Sequence, residues 1–499
     1  MSTSSESLAP YLPGVHGPWG PRHAFHLLER SGFGASSDTV EFITDLGPDD
    51  AVDFLLRSLI HNSVTPPEWL DEWTYERGTY RSLSTPEERQ AFRNKRNAHM
   101  RDLQAWWLRR MLDGPQPFIE KLTLFWHSHF AVSAEKVNDP VMMYHHINLF
   151  RENGGGNFRD LVKAVCIDPA MVIFLDSASN VKGRPNENFA RELMELYTMG
   201  EGNGYTEKDV LEASRALTGW RVRDFESQFA PRHHDDGPKT FLGKPLGETG
   251  ALAVNEIVDR IVDHPATARF VSRKLFTFFA HENPSEALVD EMAAHFRAVN
   301  FQIRPFLATV FKSKAFFSTQ SLRGLVKSPV QLVVGTHRKL QTNPEPPVAA
   351  TLLALRQMGQ ELLWPPDVDG WKEGHHWINS NALMMRYHWL HFLTTGEVPN
   401  ALRGRGHNPR PGLDPQIYLD LTSFIAPNRE QDADWCLQQA ALRLFGRPLP
   451  PARQQELVQY LTRGANNARV LFNITRSTSA ERFRGVLYLL MSSPDYQLC

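Results

Sequence analysis

Apolar residues recur at three- and four-residue intervals along most of the chain, the spacing that puts them on one face of an α-helix. Ser37-Asp38 can cap a helix through TVEFITDL, and Pro48-Asp49-Asp50 can start another through AVDFLLRSLI. Thr85-Pro86-Glu87-Glu88 carries an N-cap, a proline in the first helical position and the glutamate of a capping box. A long amphipathic helix through Leu103, Trp106, Trp107, Arg110 and Met111 should follow. The same spacing predicts helices over about 116–130, 140–152, 157–167, 187–199, 206–217, 252–263, 266–281, 284–298 and 303–313. Strand alternation is scarce, and its clearest instance flanks Gly237–Gly243, where a hairpin is expected. The expected fold is mostly α: a large multi-helix domain with long irregular loops and at most a small β-hairpin.

Breaks in this pattern suggest the organisation. Residues 1–22 are polar and rich in Pro and Gly, and read as a flexible N-terminal arm. Residues 23–397 form the main helical domain, 398–414 a linker rich in Pro, Gly, Asn and Arg, and 415–499 a small C-terminal helical module. No repeat of solenoid period is evident.

Composition narrows the function classes. With 54 Lys plus Arg against 56 Asp plus Glu, the net charge of −2 offers no global attraction to polyphosphate or anionic lipid. No nucleic-acid partner is expected, and the basic run Arg89–Arg101 reads as a solvated helix face. No stretch of about 18 apolar residues occurs, so no membrane partner is expected either. The N-terminus lacks a charged segment followed by an apolar one, which makes a cytoplasmic location the expectation. Cys166, Cys436 and Cys499 show no CxxC spacing and are too few for a disulfide framework or a thiolate zinc site.

Four clusters of His, carboxylate, Asn and Trp could carry chemistry. In Phe125-Trp126-His127-Ser128-His129-Phe130, two imidazoles could share one ion if the helix ended between them. In a continuous helix they diverge by about 200°, and each becomes a satisfied core residue. The second cluster runs from Asp176 through Asn180 into Asn186-Glu187-Asn188 and a helix bearing Arg191, Glu192 and Glu195. Glu187, Arg191 and Glu195 fall at i, i+4 spacing and can form an ion-pair ladder. Alternatively, Glu192 and Glu195 face a cleft as metal ligands or an acid/base pair. In the third, His233, His234 and Asp235 lie in a loop and can either reach one metal or form a polar surface. The fourth, Trp364 to Trp371 and then His375-His376-Trp377, is a stiff aromatic loop. It either floors a pocket for a flat or sugar-like ligand or covers the core with its indoles. Gly-rich phosphate loops, GxSxG and HExxH are absent.

In this order, HLLERSGFG (26–34), WWLRRML (106–112), EKLTLFWHSHFAVS (120–133), GNFRDLV (156–162), DPAMVIFLDSASN (168–180) and KGRPNENFARELMEL (182–196) resemble a bacterial family, domain of unknown function 1800. YTEKDV (205–210), SRALTGW (214–220), HHDDGPKTFLG (233–243), KSPVQLVVG (327–335), WPPDVDGW (364–371) and the final SSPDYQL extend the match over nearly the whole chain. The resemblance implies a large, mostly helical protein of a kind often exported, and a sulfatase-like protein as a partner. The family's motif positions correspond to His127, His129, Asn186, Glu187, Asn188, Glu192, Glu195, His233, His234 and Asp235.

These features suggest a metal-dependent enzyme, a hydrolase before an oxidoreductase, acting on a small molecule or glycan. A divalent metal ion would be held by some of His127, His129, His233, His234, Asp235 and Glu192. Glu195 would be the general base, Glu192 and Arg191 its catalytic neighbours, and Asn186, Asn188, Trp371 and Trp377 the substrate-binding residues. The alternative is a non-catalytic helical scaffold or partner protein whose buried ion pairs are structural.

Overall fold

A computed structural model describes residues 6–60, 64–342, 348–397, 399, 419–424, 428–464 and 468–499. The expected linker at 398–414 lies outside them apart from residue 399, as do residues 1–5 of the expected arm.

The described chain is mostly helical, with 21 α-helices and two two-stranded antiparallel sheets. It begins with α1 (Pro21–Ser31), α2 (Ser37–Arg57), α3 (Leu70–Glu76), α4 (Pro86–Asp113), α5 (Pro117–His129), α6 (Ala134–Val137) and α7 (Pro140–Asn153). Next come α8 (Phe158–Cys166), α9 (Pro169–Phe174), α10 (Asn188–Glu195) and α11 (Glu207–Ala216). Two hairpins follow, β1 (Trp220–Arg223) with β2 (Glu226–Phe229) and β3 (Thr240–Phe241) with β4 (Lys244–Pro245). The remaining helices are α12 (Ala253–Asp263), α13 (Pro265–Phe279), α14 (Glu286–Ala298), α15 (Ile303–Lys312), α16 (Pro329–Leu340), α17 (Val348–Gln357) and α18 (Ser380–Thr395). Helices α19 (Ala433–Phe445), α20 (Pro451–Thr462) and α21 (Ser477–Met491) complete the chain.

Local chemistry sets these boundaries. The Thr85–Glu88 capping box opens α4 in both directions, and Thr206–Asp209 does the same for α11. Asp139, Asn157 and Asp168 each accept a backbone N–H at the start of α7, α8 and α9. Within α2, Gly47 at φ 77° breaks the helix ahead of Pro48, so the segment is two helices in line, as its two start signals predict. The hairpin at 240–245 matches expectation, and the one at 220–229 is additional. Its turn is made by Asp224 and Phe225, both at positive φ, without the Asn-Gly or Asp-Gly pair that marks such turns in a sequence.

One continuous core joins the helices from α1 to α21. Residues 6–13 of the expected arm are packed against it: Leu8 and Tyr11 are buried, and the Tyr11 amide donates to Lys312 O. The C-terminal segment, described from residue 419, enters the same core. Leu325 and Cys499 exchange backbone hydrogen bonds, and Lys327 Nζ donates to Tyr496 O at 2.7 Å. Glu29 accepts Lys339 at 2.8 Å where neither side chain meets solvent, and Arg30 donates to Ala280 O and Ser321 O at 2.7 Å. Buried charges on α1 therefore tie α13, α16 and the chain end to one point.

Candidate functional site

Helix α5 carries the FWHSHF motif to its C-terminus, and it runs unbroken through His127 and His129. The two imidazoles therefore diverge. His129 Nε2 lies 2.9 Å from Tyr197 O, with its ring against Phe125 and Phe130. His127 faces Trp107, His146 and Trp371, with ring centroids 5.5, 5.5 and 5.6 Å away. Burial holds both imidazoles well below the usual histidine range.

The expected ligands of the third cluster are engaged elsewhere. His234 is buried against the Thr218 carbonyl (Nδ1, 2.9 Å), and its Nε2 accepts the Gly250 amide at 3.0 Å. Asp235 receives Arg215 Nε at 2.8 Å, which holds its carboxyl below the ordinary range. His233 is half-buried at the end of a short 3-10 turn, with Arg221, Arg232 and Arg223 around it. Among the described residues no three His, Cys, Asp or Glu side chains converge to hold a metal ion. The donors named from the sequence thus fall into separate neighbourhoods, and no step through a metal is derived from them.

On α10 the ladder forms. Arg191 bridges Glu187 at 3.3 Å, Glu195 at 3.2 Å and, from the next helix, Glu207 at 2.6 Å. Asn186 shapes the turn before it, donating to Ser179 Oγ at 2.9 Å and accepting the Asn188 amide at 3.1 Å. Asn188 itself is exposed. Glu192 differs from its neighbours: it is half-buried, with no hydrogen bond or ion pair among the described residues. Burial, then Glu195 and Asp369, raise its carboxyl above the usual range.

Asp369 belongs to the aromatic loop, and that loop completes a cleft. The Trp371 amide donates to Ser128 Oγ at 3.2 Å, docking the loop on the last turn of α5. Gly370, at φ 78°, lies so close to the Ser128 carbonyl that a Cβ would overlap it. Beyond it, Trp371, Glu373, Gly374 and Trp377 join Lys121, Leu124 and Ser128 of α5 and Phe278 of α13 around a cavity of about 60 Å³. That is space for a few waters or a small group of ligand atoms. Trp371 and Trp377 are buried.

The charges along this seam act on one another. Glu373 is an exposed residue of the loop, and the protein atoms crowding its carboxyl push it up to about 7. Lys274 and Lys121 oppose that shift, and Glu282 adds to it. Lys274 is itself lowered by burial, offset by Asp369 and Glu373, and its Nζ stands 5.1 Å from the Phe270 ring centroid. Lys121, buried on α5, is lowered to about 8. The Tyr197 hydroxyl is buried without a hydrogen-bond partner among the described residues; burial, then Glu192 and Asp369, raise it. Lys274 thus lies within electrostatic reach of both Asp369 and Glu373, and Asp369 in turn acts on Glu192.

Sequence reasoning marked Glu192, Trp371 and Trp377 in this site and missed Glu373, Lys274, Lys121 and Tyr197. Glu373 and Asp369 sit inside the aromatic loop that the sequence singled out. Lys121, Lys274 and Tyr197 are scattered through helical runs, and no spacing signals their convergence. No helix among the described residues is long and apolar enough to cross a membrane. No curated protein and no solved structure matches the chain. One family model does, described as protein of unknown function (DUF1800), and it spans residues 26–498. The chain belongs to that family.

Proposed function

We propose that the cleft between α5, α10, α13 and the 364–377 loop is the active site of a hydrolase working by general acid–base chemistry. The observation that carries this is a carboxyl raised toward neutrality, Glu373, within electrostatic reach of Lys274, with Glu192, unpartnered among the described residues, linked to the same loop through Asp369. Catalytic acids are tuned upward by burial in this way, because a group that titrates near the working pH both holds and gives up its proton. Glu373, which keeps a protonated fraction at neutral pH, donates to the leaving oxygen. Glu192, a stronger base for its raised affinity, takes a proton from the attacking water, while the Lys274 ammonium stabilises developing negative charge. Trp371 and Trp377 edge a cavity of about 60 Å³ that takes only a small group of atoms, so a glycoside or ester that inserts one small substituent there suits the lining.

The Arg191 ladder and the buried Glu120 and Glu29 pairs favour a second reading, a scaffold whose charges fix packing. The two separate on a panel of 4-nitrophenyl glycosides and acyl esters assayed with wild type, Glu192→Gln and Glu373→Gln. The enzyme predicts turnover of at least one member, reduced 100-fold or more in each folded variant. Turnover that survives both substitutions, or is absent throughout the panel, counts for the scaffold.

A further inference from the structure

Behind the Trp371 indole, five buried polar atoms have no hydrogen-bond partner among the described residues: Thr123 Oγ1, both ring nitrogens of His127, His146 Nε2 and Trp371 Nε1. An unsatisfied buried group costs about 1–3 kcal/mol, so protein interiors hold few of them. The two His127 nitrogens, with three further unpartnered polar atoms on residues near that imidazole, mark a place that an ion or water can occupy.

Thr123 and His127 stand at i, i+4 on α5 and share a face. His146 comes from α7, its ring centroid 5.5 Å from that of His127. Two imidazoles sharing one ion at about 2.0–2.1 Å place their centroids about 5–6.5 Å apart, and this pair falls within that window. His146 Nδ1 lies 2.9 Å from Asp168 Oδ2, both side chains being essentially without solvent exposure. A carboxylate behind a histidine fixes the tautomer whose other nitrogen presents a lone pair, which is how metal-ligating histidines are held.

We propose that His127 and His146 form a buried site for one transition-metal ion of the zinc–copper class, the class imidazole prefers. Asp168 orients His146, and the Thr123 hydroxyl and water complete the coordination. With two imidazoles and one oriented carboxylate the site is structural: it pins α5 to α7 behind Trp371, and stands apart from the acid–base cleft.

Titration of the purified chain with Zn²⁺ and, under reductant, with Cu⁺, followed by X-ray absorption of the loaded protein, tests this. One equivalent of either ion with two imidazole nitrogens at about 2.0 Å is expected. His127→Gln and His146→Gln should each abolish that equivalent, and Asp168→Asn should weaken it about 10–100-fold. Asparagine caps helices as well as aspartate, so Asp168→Asn keeps the start of α9. No bound equivalent of either ion, binding that survives His127→Gln with His146→Gln, or a coordination shell of oxygen alone overturns the site. If a glutamine variant fails to fold, the absorption spectrum of the loaded wild type still decides.

Discussion

Arg151 Nη2 lies 2.7 Å from Glu120 Oε2, with neither side chain more than 1% exposed, and Arg110 Nε reaches the other carboxylate oxygen at 2.9 Å. Trp107 Nε1 donates to the same carboxylate at 3.0 Å. Glu120 therefore joins α4 and α7 to α5, the helix that lines one wall of the cleft. Removing one member of such a pair leaves a buried charge uncompensated. Glu120→Ala should destabilise the protein by about 3–5 kcal/mol in urea unfolding. Glu120→Leu combined with Arg151→Met should recover most of that loss, because both charges leave together.

Glu192 should behave in the opposite way. Its carboxyl is raised by burial and by the nearby acids, so ionising it in the fold is unfavourable. Glu192→Gln is expected to leave stability within about 0.5 kcal/mol of wild type, or to raise it, while activity falls. A large loss of stability in the same unfolding measurement would assign Glu192 to packing.

Gly370 tests the docking of the aromatic loop. Alanine there meets both a left-handed backbone and the Ser128 carbonyl, an obstacle that cannot rotate away. Gly370→Ala should destabilise by about 1–3 kcal/mol and shift the tryptophan fluorescence, since Trp371 is the next residue. An unchanged emission spectrum would show that the loop is held by other contacts.

The pH dependence follows from Glu373 and Asp235, which shift in opposite directions. Glu373 is raised in the fold, so the stability it confers is complete below about pH 4.5 and is lost as pH rises through about 7. Glu373→Gln should flatten that part of the stability–pH curve. Lys274→Met should push the Glu373 midpoint higher, because a nearby cation is removed. Asp235 is lowered by Arg215, so its contribution is present above about pH 4 and fades under acid. Asp235→Asn should weaken the acid limb only, as followed by circular dichroism between pH 2 and 8.

Much of the fold is legible in the sequence because its signals are local. The capping residue Thr85, the prolines at first helical positions and the 3–4 spacing place α2, α4, α5, α7, α8 and α10–α15 to within a few residues, whereas α16–α21 are foreseen only as helical sequence without bounds. The hairpin at Asp224-Phe225 is not legible, because neither residue advertises positive φ. The site is legible only in part, for the same reason. Glu192 stands out as an acid on an otherwise paired helix, and the Trp-rich loop announces itself by composition. The divergence of His127 and His129 follows once α5 is seen to run through both. What joins His127 to His146, or Glu373 to Lys274, is proximity across 18 intervening residues or nearly 100, and no local pattern encodes it. Asp168 reads locally as a helix cap, which it is; its second partner, His146, emerges only from the packing of α7 on α9.

The central claim is that a carboxyl in the cleft titrates near neutrality, well above the ordinary glutamate range. Carbon-13 NMR titration of the Glu373 side-chain carboxyl, assigned by its disappearance in Glu373→Gln, measures this directly. A midpoint near 7 is predicted. A midpoint near the ordinary glutamate value of about 4.3 would contradict the account.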